Sequence, residues 1–253
     1  MVQKTVRVET KGVVQWIRLS RPDRLNAFSE QLGADLLEAL QEGERSAGAG
    51  CLVLTGEGEA FCAGEDLDVG GRTIGRERPV LLGEALSREY NSIVQRIKKM
   101  EKPVVAAING AAAGIGLGLA MACDQRAAAE GASFSEALLG SGRPPYSWAG
   151  FWLPRILGPA RAMEVRATGR PMGARAALSL GLVDRVFPDA DFAGEVTSIA
   201  EHLARRPAAV LALTKRTLTR AVAVGPDSAL EYEVYLRTLA AMAENRAGAP
   251  VRN

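Results

Sequence analysis

The first part of the chain shows an apolar pattern that predicts a hairpin and then a helix. Residues 3–9 alternate polar and apolar side chains, and Gly12 turns the chain into a second strand at 13–19. Ser29 stands where it can cap a helix. The apolar positions of that helix recur at helical spacing, at Leu32, Leu36, Leu37 and Leu40.

The middle of the chain predicts alternating strands and helices. Two uninterrupted apolar runs, at 51–54 and 104–108, predict buried strands, and 125–129 is a further strand. Helices are predicted between these runs, before Pro103 and again after the glycine-rich stretch that follows residue 110. This order predicts parallel strands with helices packed outside them. The stretch 68–82, rich in glycine, arginine and proline, is predicted to be a loop.

From about residue 190 the pattern is helical to the end. One apolar stripe runs from Leu211 to Val222, and a second runs from Leu230 to Met242. Such stripes pack either against the core or against a second subunit. We therefore divide the chain into a core domain at 1–190 and a helical, oligomerisation region at 191–253.

Composition and charge narrow the range of functions. A net charge of +2 argues against a nucleic-acid partner. Three separated cysteines without metal-ligand spacing fit a reduced cytoplasmic compartment, and no signal peptide or membrane-spanning run is apparent. The single histidine, His202, lies in a polar helical stretch. We therefore expect a cytoplasmic protein with no metal, no membrane partner and no histidine triad.

Two loops of small residues, 58–67 and 109–119, each follow a predicted buried strand. The second loop also opens a helix, where backbone N–H groups lack internal partners and carry partial positive charge. Two such loops brought together can hold a developing oxyanion, although either alone can be no more than a tight turn. The glycines of the second loop do not fit a dinucleotide-binding fingerprint.

Several segments together carry a family resemblance. They are Arg21-Pro-Asp-Arg-Leu-Asn-Ala-Phe28, Phe61-Cys-Ala-Gly-Glu-Asp-Leu67, and Lys102-Pro-Val-Val-Ala-Ala-Ile-Asn-Gly110 with Ala113-Gly-Ile-Gly116. Their order and spacing resemble the crotonase (enoyl-CoA hydratase/isomerase) superfamily. The resemblance implies an α/β fold, a spiral of ββα turns with a helical C-terminal part. It also implies a homotrimer or a dimer of trimers.

The same resemblance implies a ligand and a set of site residues. The ligand is an acyl-CoA thioester, with coenzyme A as part of the substrate and no other cofactor. The oxyanion hole is the backbone N–H of Glu65 and of Ile115. The positions implied to contact the acyl-CoA are Arg24, Leu25, Ala27, Ala63, Asp66, Leu67, Gly114, Gly116 and Leu138. Lys215 and Arg216 either reach the CoA phosphates or lie on a solvated helix face.

The sequence departs from the family at the acid and base residues. The two glutamates that activate water in the hydratases align with Gly118 and Leu138, and a third family carboxylate aligns with Tyr146. Glu136 and Tyr146 remain as acid or base residues. Alternatively, Tyr146 packs with Trp148 and Trp152 as a wall and Glu136 is structural.

Three hypotheses follow. The first is an enzyme that stabilises a thioester enolate, for isomerisation, C–C cleavage or another reaction without water addition, on an aromatic or cyclic acyl group. The second is a non-catalytic subunit that binds acyl-CoA. The third is a true enoyl-CoA hydratase that uses a different residue to activate water.

Overall fold

The computed structural model describes residues 4–66, 88, 90–136 and 146–246. The loop predicted at 68–82 lies outside these residues. In chain order the strands are β1 (Val6–Lys11), β2 (Val14–Leu19), β3 (Cys51–Gly56), β4 (Ala60–Cys62), β5 (Val104–Ile108), β6 (Ala111–Ala113), β7 (Gln125–Ala129), β8 (Ser133–Ser135), β9 (Met172–Gly173) and β10 (Arg185–Phe187).

The strands form two sheets. The larger has the order β1-β2-β3-β5-β7-β10, and the smaller has the order β4-β6-β8-β9. The predicted hairpin is confirmed, because β1 and β2 pair antiparallel, and the pairs from β2 to β10 are parallel. Successive turns of the chain place β3, β5 and β7 in the larger sheet and β4, β6 and β8 in the smaller. This is the ββα spiral that the family resemblance implied.

Helices cover the sheets and make up the described chain after β10. They are α1 (Glu30–Arg45), α2 (Tyr90–Lys99), α3 (Ile115–Ala122), α4 (Ala149–Leu157), α5 (Pro159–Thr168), α6 (Ala174–Ser179), α7 (Phe192–Ala204), α8 (Ala208–Ala221) and α9 (Pro226–Arg246). The predicted cap of α1 is confirmed, since the Ser29 hydroxyl accepts the Leu32 N–H at 3.2 Å. The predicted helical C-terminal part is confirmed as well, and its role in oligomerisation stays a prediction.

Strands β2, β3 and β5 of the larger sheet are buried on both faces. Successive side chains of a strand point to opposite sides, and each side meets a core. On β3, Leu52 and Leu54 join the main core with Leu36 of α1. Cys51 and Val53 face the other way, into a second core that α7 covers with Phe192, Val196 and Ala200. Both alternating sets of side chains on such a strand must be apolar, and this explains the uninterrupted apolar runs in the sequence.

Helices α8 and α9 carry exposed apolar side chains in the single chain. Leu236 is buried, whereas Leu230 and Val234 are 62 % and 67 % exposed. The second apolar stripe of the sequence is therefore mostly uncovered. Within the described ranges, no helix combines the length and the apolar character needed to cross a bilayer.

Lys215 fastens α8 to the core through a mostly buried ion pair. Its ammonium lies 2.7 Å from Asp124 Oδ2 and donates to the Lys102 carbonyl at 3.0 Å. Asp124 Oδ2 also accepts the Val104 N–H at 2.8 Å, at the start of β5. Lys215 is therefore not on a solvated helix face, and its ammonium is bound to Asp124 rather than directed to a phosphate. Its neighbour Arg216 is exposed.

Removing the Lys215 ammonium should destabilise the protein. We expect Lys215→Ala to lower the free energy of unfolding by about 2 kcal/mol, because Asp124 loses its counter-ion in a site largely closed to water. Urea unfolding followed by circular dichroism measures the change. Arg216→Ala on the same helix is the matched control and should change it by less than about 0.5 kcal/mol. Equal effects of the two variants would contradict a structural role for the buried pair.

Candidate active site

Three short parallel strands of the smaller sheet bring separate parts of the sequence to one edge. Strand β4 pairs with β6 through Ala60↔Ala111 and Cys62↔Ala112, and β6 pairs with β8. Because parallel strands end at the same edge, the segments that follow them become neighbours. These segments are 63–66, 114–115 and Glu136.

The first two segments touch because glycines stand at the contacts. A Cβ added to Gly116 would lie 2.1 Å from the carbonyl oxygen of Cys62, and one added to Gly64 would lie 3.3 Å from that of Ala113. Gly64 and Gly114 also adopt positive φ, 108° and 48°. Both predicted loops are thus held against each other at backbone distance.

The backbone of Glu65 is fixed from one side, and Ile115 begins a helix. Glu65 forms a parallel bridge with Phe28, in which Phe28 N–H donates to Gly64 O at 2.7 Å and Asp66 N–H donates to Phe28 O at 2.8 Å. Ile115 is the first residue of α3, after Gly114 at the cap position. Its N–H therefore has no acceptor within the helix and carries part of the positive end of the helix dipole.

The residues predicted to contact acyl-CoA divide into three groups. Arg24 and Leu25 are exposed and Ala27 is half-buried, all on the segment that runs beside Ala63. The carboxylate of Asp66 is buried and lies 2.7 Å from the guanidinium of Arg21. Gly114 and Gly116 are buried at the contact between the two loops. The predictions for Leu67 and Leu138 fall outside the described residues.

Glu136 is a fully buried carboxylate at the end of β8. Its Oε1 accepts the Ser147 hydroxyl at 2.8 Å, and its Oε2 has no hydrogen-bond partner in the part of the chain that the structure describes. Burial raises the pKa of Glu136 above its ordinary value, against the opposing effects of the Ser147 hydrogen bond and the charge of Arg166. A carboxyl group of this kind exchanges protons nearer to neutral pH than an exposed one.

Tyr146 belongs to a small aromatic cluster beside the loops. Its hydroxyl donates to Asn91 Oδ1 at 2.8 Å, and burial raises its pKa despite that bond. Its ring meets the edge of Tyr90, whose ring in turn meets Phe28. Trp148 and Trp152 pack instead against Phe151 between them, so the closest ring partner of Tyr146 is Tyr90.

Tyr90 is a site residue that the sequence reasoning missed. Its buried hydroxyl lies 3.3 Å from the Ile115 carbonyl and 3.4 Å from the Trp148 N–H. A Cβ added to Gly118 would lie 2.2 Å from that hydroxyl and 2.9 Å from the Trp148 nitrogen. In the sequence Tyr90 was one apolar position of a helix face, and no local signal distinguishes it from a core residue.

Neither a metal nor a cysteine nucleophile fits the described site. In the described ranges, no group of three or more histidine, cysteine, aspartate or glutamate side chains could hold a metal ion. Cys62 lies on β4 beside the loops, and burial raises its pKa to about 11. The thiol therefore stays protonated at neutral pH, and the thiolate is the reactive form of cysteine.

Comparison with known proteins identifies the family of this chain. The sequence matches the enoyl-CoA hydratase/isomerase family over residues 9–245. The chain belongs to this family, the crotonase superfamily, whose members include acyl-CoA isomerases, dehalogenases and hydratases.

Individual relatives span different reactions. The chain is 38 % identical to 1,2-epoxyphenylacetyl-CoA isomerase of Escherichia coli K12, over 94 % of its own length and 90 % of the relative's. It is 37 % identical to 4-chlorobenzoyl coenzyme A dehalogenase-2 of an Arthrobacter species, over 90 % and 83 %. Its fold is similar to a crystal structure of enoyl-CoA hydratase from Thermoplasma volcanium, with a TM-score of 0.85, 30 % identity and coverage of 94 % and 92 %.

The contact between Tyr90 and Gly118 predicts a coupled pair of substitutions. Gly118→Ala should destabilise the protein by about 1–3 kcal/mol, because its methyl group meets the Tyr90 hydroxyl in a packed interior. In the Tyr90→Phe background the same change should cost less, since the hydroxyl is gone. Unfolding free energies of the two single variants and the double variant measure this coupling. Additive effects would mean that the hydroxyl does not limit the space at position 118.

Proposed function

We propose that this protein moves a proton within an acyl-CoA thioester through an enolate intermediate, with the backbone N–H groups of Glu65 and Ile115 as the oxyanion hole. The observation that carries the proposal is the meeting of the two loops at the ends of β4 and β6, with the first turn of a helix at the contact. Membership of an acyl-CoA family supplies the ligand class.

The energetic part of the proposal is differential stabilisation. Removing a proton from the α-carbon leaves negative charge on the thioester oxygen, and donors fixed in advance stabilise that charge without reorganising. One such donor is worth about 3–4 kcal/mol in systems where it has been removed. Strands β4 and β6, together with the Phe28 bridge, hold both donors on rigid elements.

We assign the proton transfer to Glu136. Its carboxylate takes a proton from one carbon of the acyl group, the C–H electron pair becomes the enolate, and the protonated carboxyl returns a proton to another carbon. Nothing is consumed and no co-reactant is needed. Its raised pKa and the unpartnered Oε2 support this role, because an acid–base group works best with a pKa near the working pH.

Water addition is not favoured. The resemblance assigns one water-activating glutamate of the hydratases to position 118, where a side chain would meet the Tyr90 hydroxyl and the Trp148 nitrogen. No carboxylate fits there without displacing Tyr90. Proton transfer needs only one acid–base group and the oxyanion donors, which this chain has.

An aromatic or cyclic acyl group suits the surroundings. Phe28, Tyr90 and Tyr146 meet edge to face beside the two loops. Phe28 and Tyr90 are buried, and the half-buried ring of Tyr146 is the one that a planar ligand would contact. Two relatives, the 1,2-epoxyphenylacetyl-CoA isomerase and the 4-chlorobenzoyl coenzyme A dehalogenase, carry aromatic acyl groups in their names. We therefore choose phenylacetyl-CoA as the first probe and butyryl-CoA as its aliphatic counterpart.

Enolate formation should appear as deuterium exchange. In deuterium oxide the wild type should replace the α-protons of phenylacetyl-CoA faster than those of butyryl-CoA, measured by NMR and mass spectrometry. Ile115→Pro should slow exchange by about 10²–10³-fold, because proline removes the N–H but suits the first position of a helix.

Ile115→Ala is the control for that variant, because it keeps the N–H while removing more of the side chain than proline does. Equal exchange by the proline and alanine variants would contradict the proposed donor. Saturable binding of acyl-CoA by the wild type, with no exchange on either probe, would support a non-catalytic binding subunit instead.

Replacing Glu136 should separate activity from stability. Glu136→Gln should slow exchange by about 10²–10⁴-fold. Because the folded-state pKa of Glu136 is raised, the wild type loses stability as the pH rises above the ordinary glutamate value toward that raised pKa. The variant should therefore melt at a higher temperature than the wild type at neutral pH, and the difference should vanish at about pH 4.

The control for Glu136→Gln is Glu164→Gln, at an exposed residue of α5. It should change neither the exchange rate nor the pH dependence of melting. Normal exchange by Glu136→Gln would restrict Glu136 to packing.

A further inference from the structure

We propose that Asn26 is a positioning residue that sets the direction of the Glu65 N–H. It acts by holding the segment 25–28 against the segment 63–66. The inference rests on the proposed oxyanion hole and adds to it the part of the chain that aligns one donor. The side chain of Asn26 bonds to Arg21, Glu57 and Ala60, and it acts on the Glu65 donor through Phe28.

The segment that contains Asn26 has an unusual backbone. Leu25 and Asn26 have φ of 50° and 55°, and they are the non-glycine residues with positive φ in the described chain. Residues other than glycine rarely adopt this left-handed region, and two in succession persist only where surrounding contacts hold them. Asparagine tolerates it better than most residues, whereas leucine does not.

The Asn26 side chain supplies those contacts. It is fully buried, and its Oδ1 accepts the Arg21 N–H at 2.9 Å. Its Nδ2 donates to the carbonyl oxygens of Glu57 and Ala60 at 2.9 and 2.7 Å. One amide group thus joins the turn after β2 to the connection between β3 and β4, and it uses both its acceptor and its donors.

The chain after Asn26 then runs along the first oxyanion loop. The Leu25 carbonyl accepts the Ala63 N–H at 3.0 Å, and Phe28 bonds to Gly64 and Asp66 on either side of Glu65. The Arg21 guanidinium reinforces this contact, because it donates both to the Ala27 carbonyl and to Asp66.

This bonding pattern fixes the direction of the Glu65 peptide group. In a parallel bridge one residue makes both hydrogen bonds, to the two neighbours of its partner, and the partner's own N–H and C=O point to the opposite side. Here Phe28 makes both bonds, and Glu65 is the partner. The Glu65 N–H therefore points away from Phe28, to the side where Gly64 approaches Ala113 and α3 begins. If the segment 25–28 shifts, the bridge and the direction of this N–H shift with it.

Two substitutions separate the backbone from the hydrogen bonds. Asn26→Gly accepts positive φ without cost but loses every side-chain bond. Asn26→Asp tolerates positive φ and can still accept from Arg21, but it cannot donate to Glu57 and Ala60. Both should lower the rate of α-proton exchange at saturating phenylacetyl-CoA by about 10- to 100-fold, the scale expected for a misplaced catalytic group.

The decisive readout is the thioester carbonyl stretch of bound, isotope-labelled benzoyl-CoA, which has no α-proton to lose. Hydrogen bonds from an oxyanion hole lower this frequency. The wild type should show the lowering, and both variants should lose most of it. Since the spectrum is taken at saturating ligand, changes in affinity do not affect it.

The outcomes separate the two proposals. Suppose that the carbonyl frequency is lowered in the wild type and in both variants, and that the variants differ only in a lower melting temperature, with unchanged exchange. This result would overturn the positioning role of Asn26 and leave the oxyanion hole intact. An unshifted carbonyl in the wild type would overturn the oxyanion hole, and with it this inference. If neither Asn26 variant folds, Arg21→Lys gives the same test, because one ammonium cannot reproduce the two-pronged contact with Ala27 and Asp66.

Discussion

The close approach of two backbone segments, the ends of β4 and β6, is the constraint on which the rest of this structure depends. Gly110 and Gly116 stand where a Cβ would come within 1.9 and 2.1 Å of carbonyl oxygens in the other segment. Strand β6 between them consists of three alanines. The smaller sheet therefore forms only because side chains are absent or minimal along this contact. The same absence brings the two loops into backbone contact.

The helices and strands that were predicted from the sequence are those in which a regular pattern of apolar residues continues over several positions. Helix α1 has a cap and a repeated leucine spacing, and β3 and β5 are uninterrupted apolar runs. Their signal comes from large apolar side chains entering a core. Strands β4, β6 and β8 have three residues each, too short for alternation to appear, and the sequence reasoning described them as loops or did not describe them. Their pairing is a consequence of the fold around them.

The roles of residues that depend on a partner distant in the sequence could not be predicted from the sequence either. Lys215 looks like any lysine on a polar helix face until α8 places it against Asp124. Tyr90 looks like a core position until Gly118 leaves room for its hydroxyl. The sequence left Glu136 as either an acid–base residue or a structural one, and its burial and unpartnered oxygen required the structure. In each case the missing information was a tertiary contact.

The candidate site contains several features that lower the stability of the folded protein. Left-handed φ at a non-glycine residue costs about 1–3 kcal/mol, and Leu25 and Asn26 both adopt it. Glu136 adds a buried carboxyl group whose charged form burial opposes. The larger sheet offsets these costs, since each fully buried leucine or isoleucine contributes about 1.5–3 kcal/mol, and Ile17, Leu19, Leu52 and Leu54 are all fully buried. Strain persists at functional sites when the surrounding structure over-determines it. The left-handed backbone at Leu25 and Asn26 runs beside the end of β4, and Glu136 directly follows β8 of the same sheet. Their concentration around this edge argues for a function there rather than in the larger sheet.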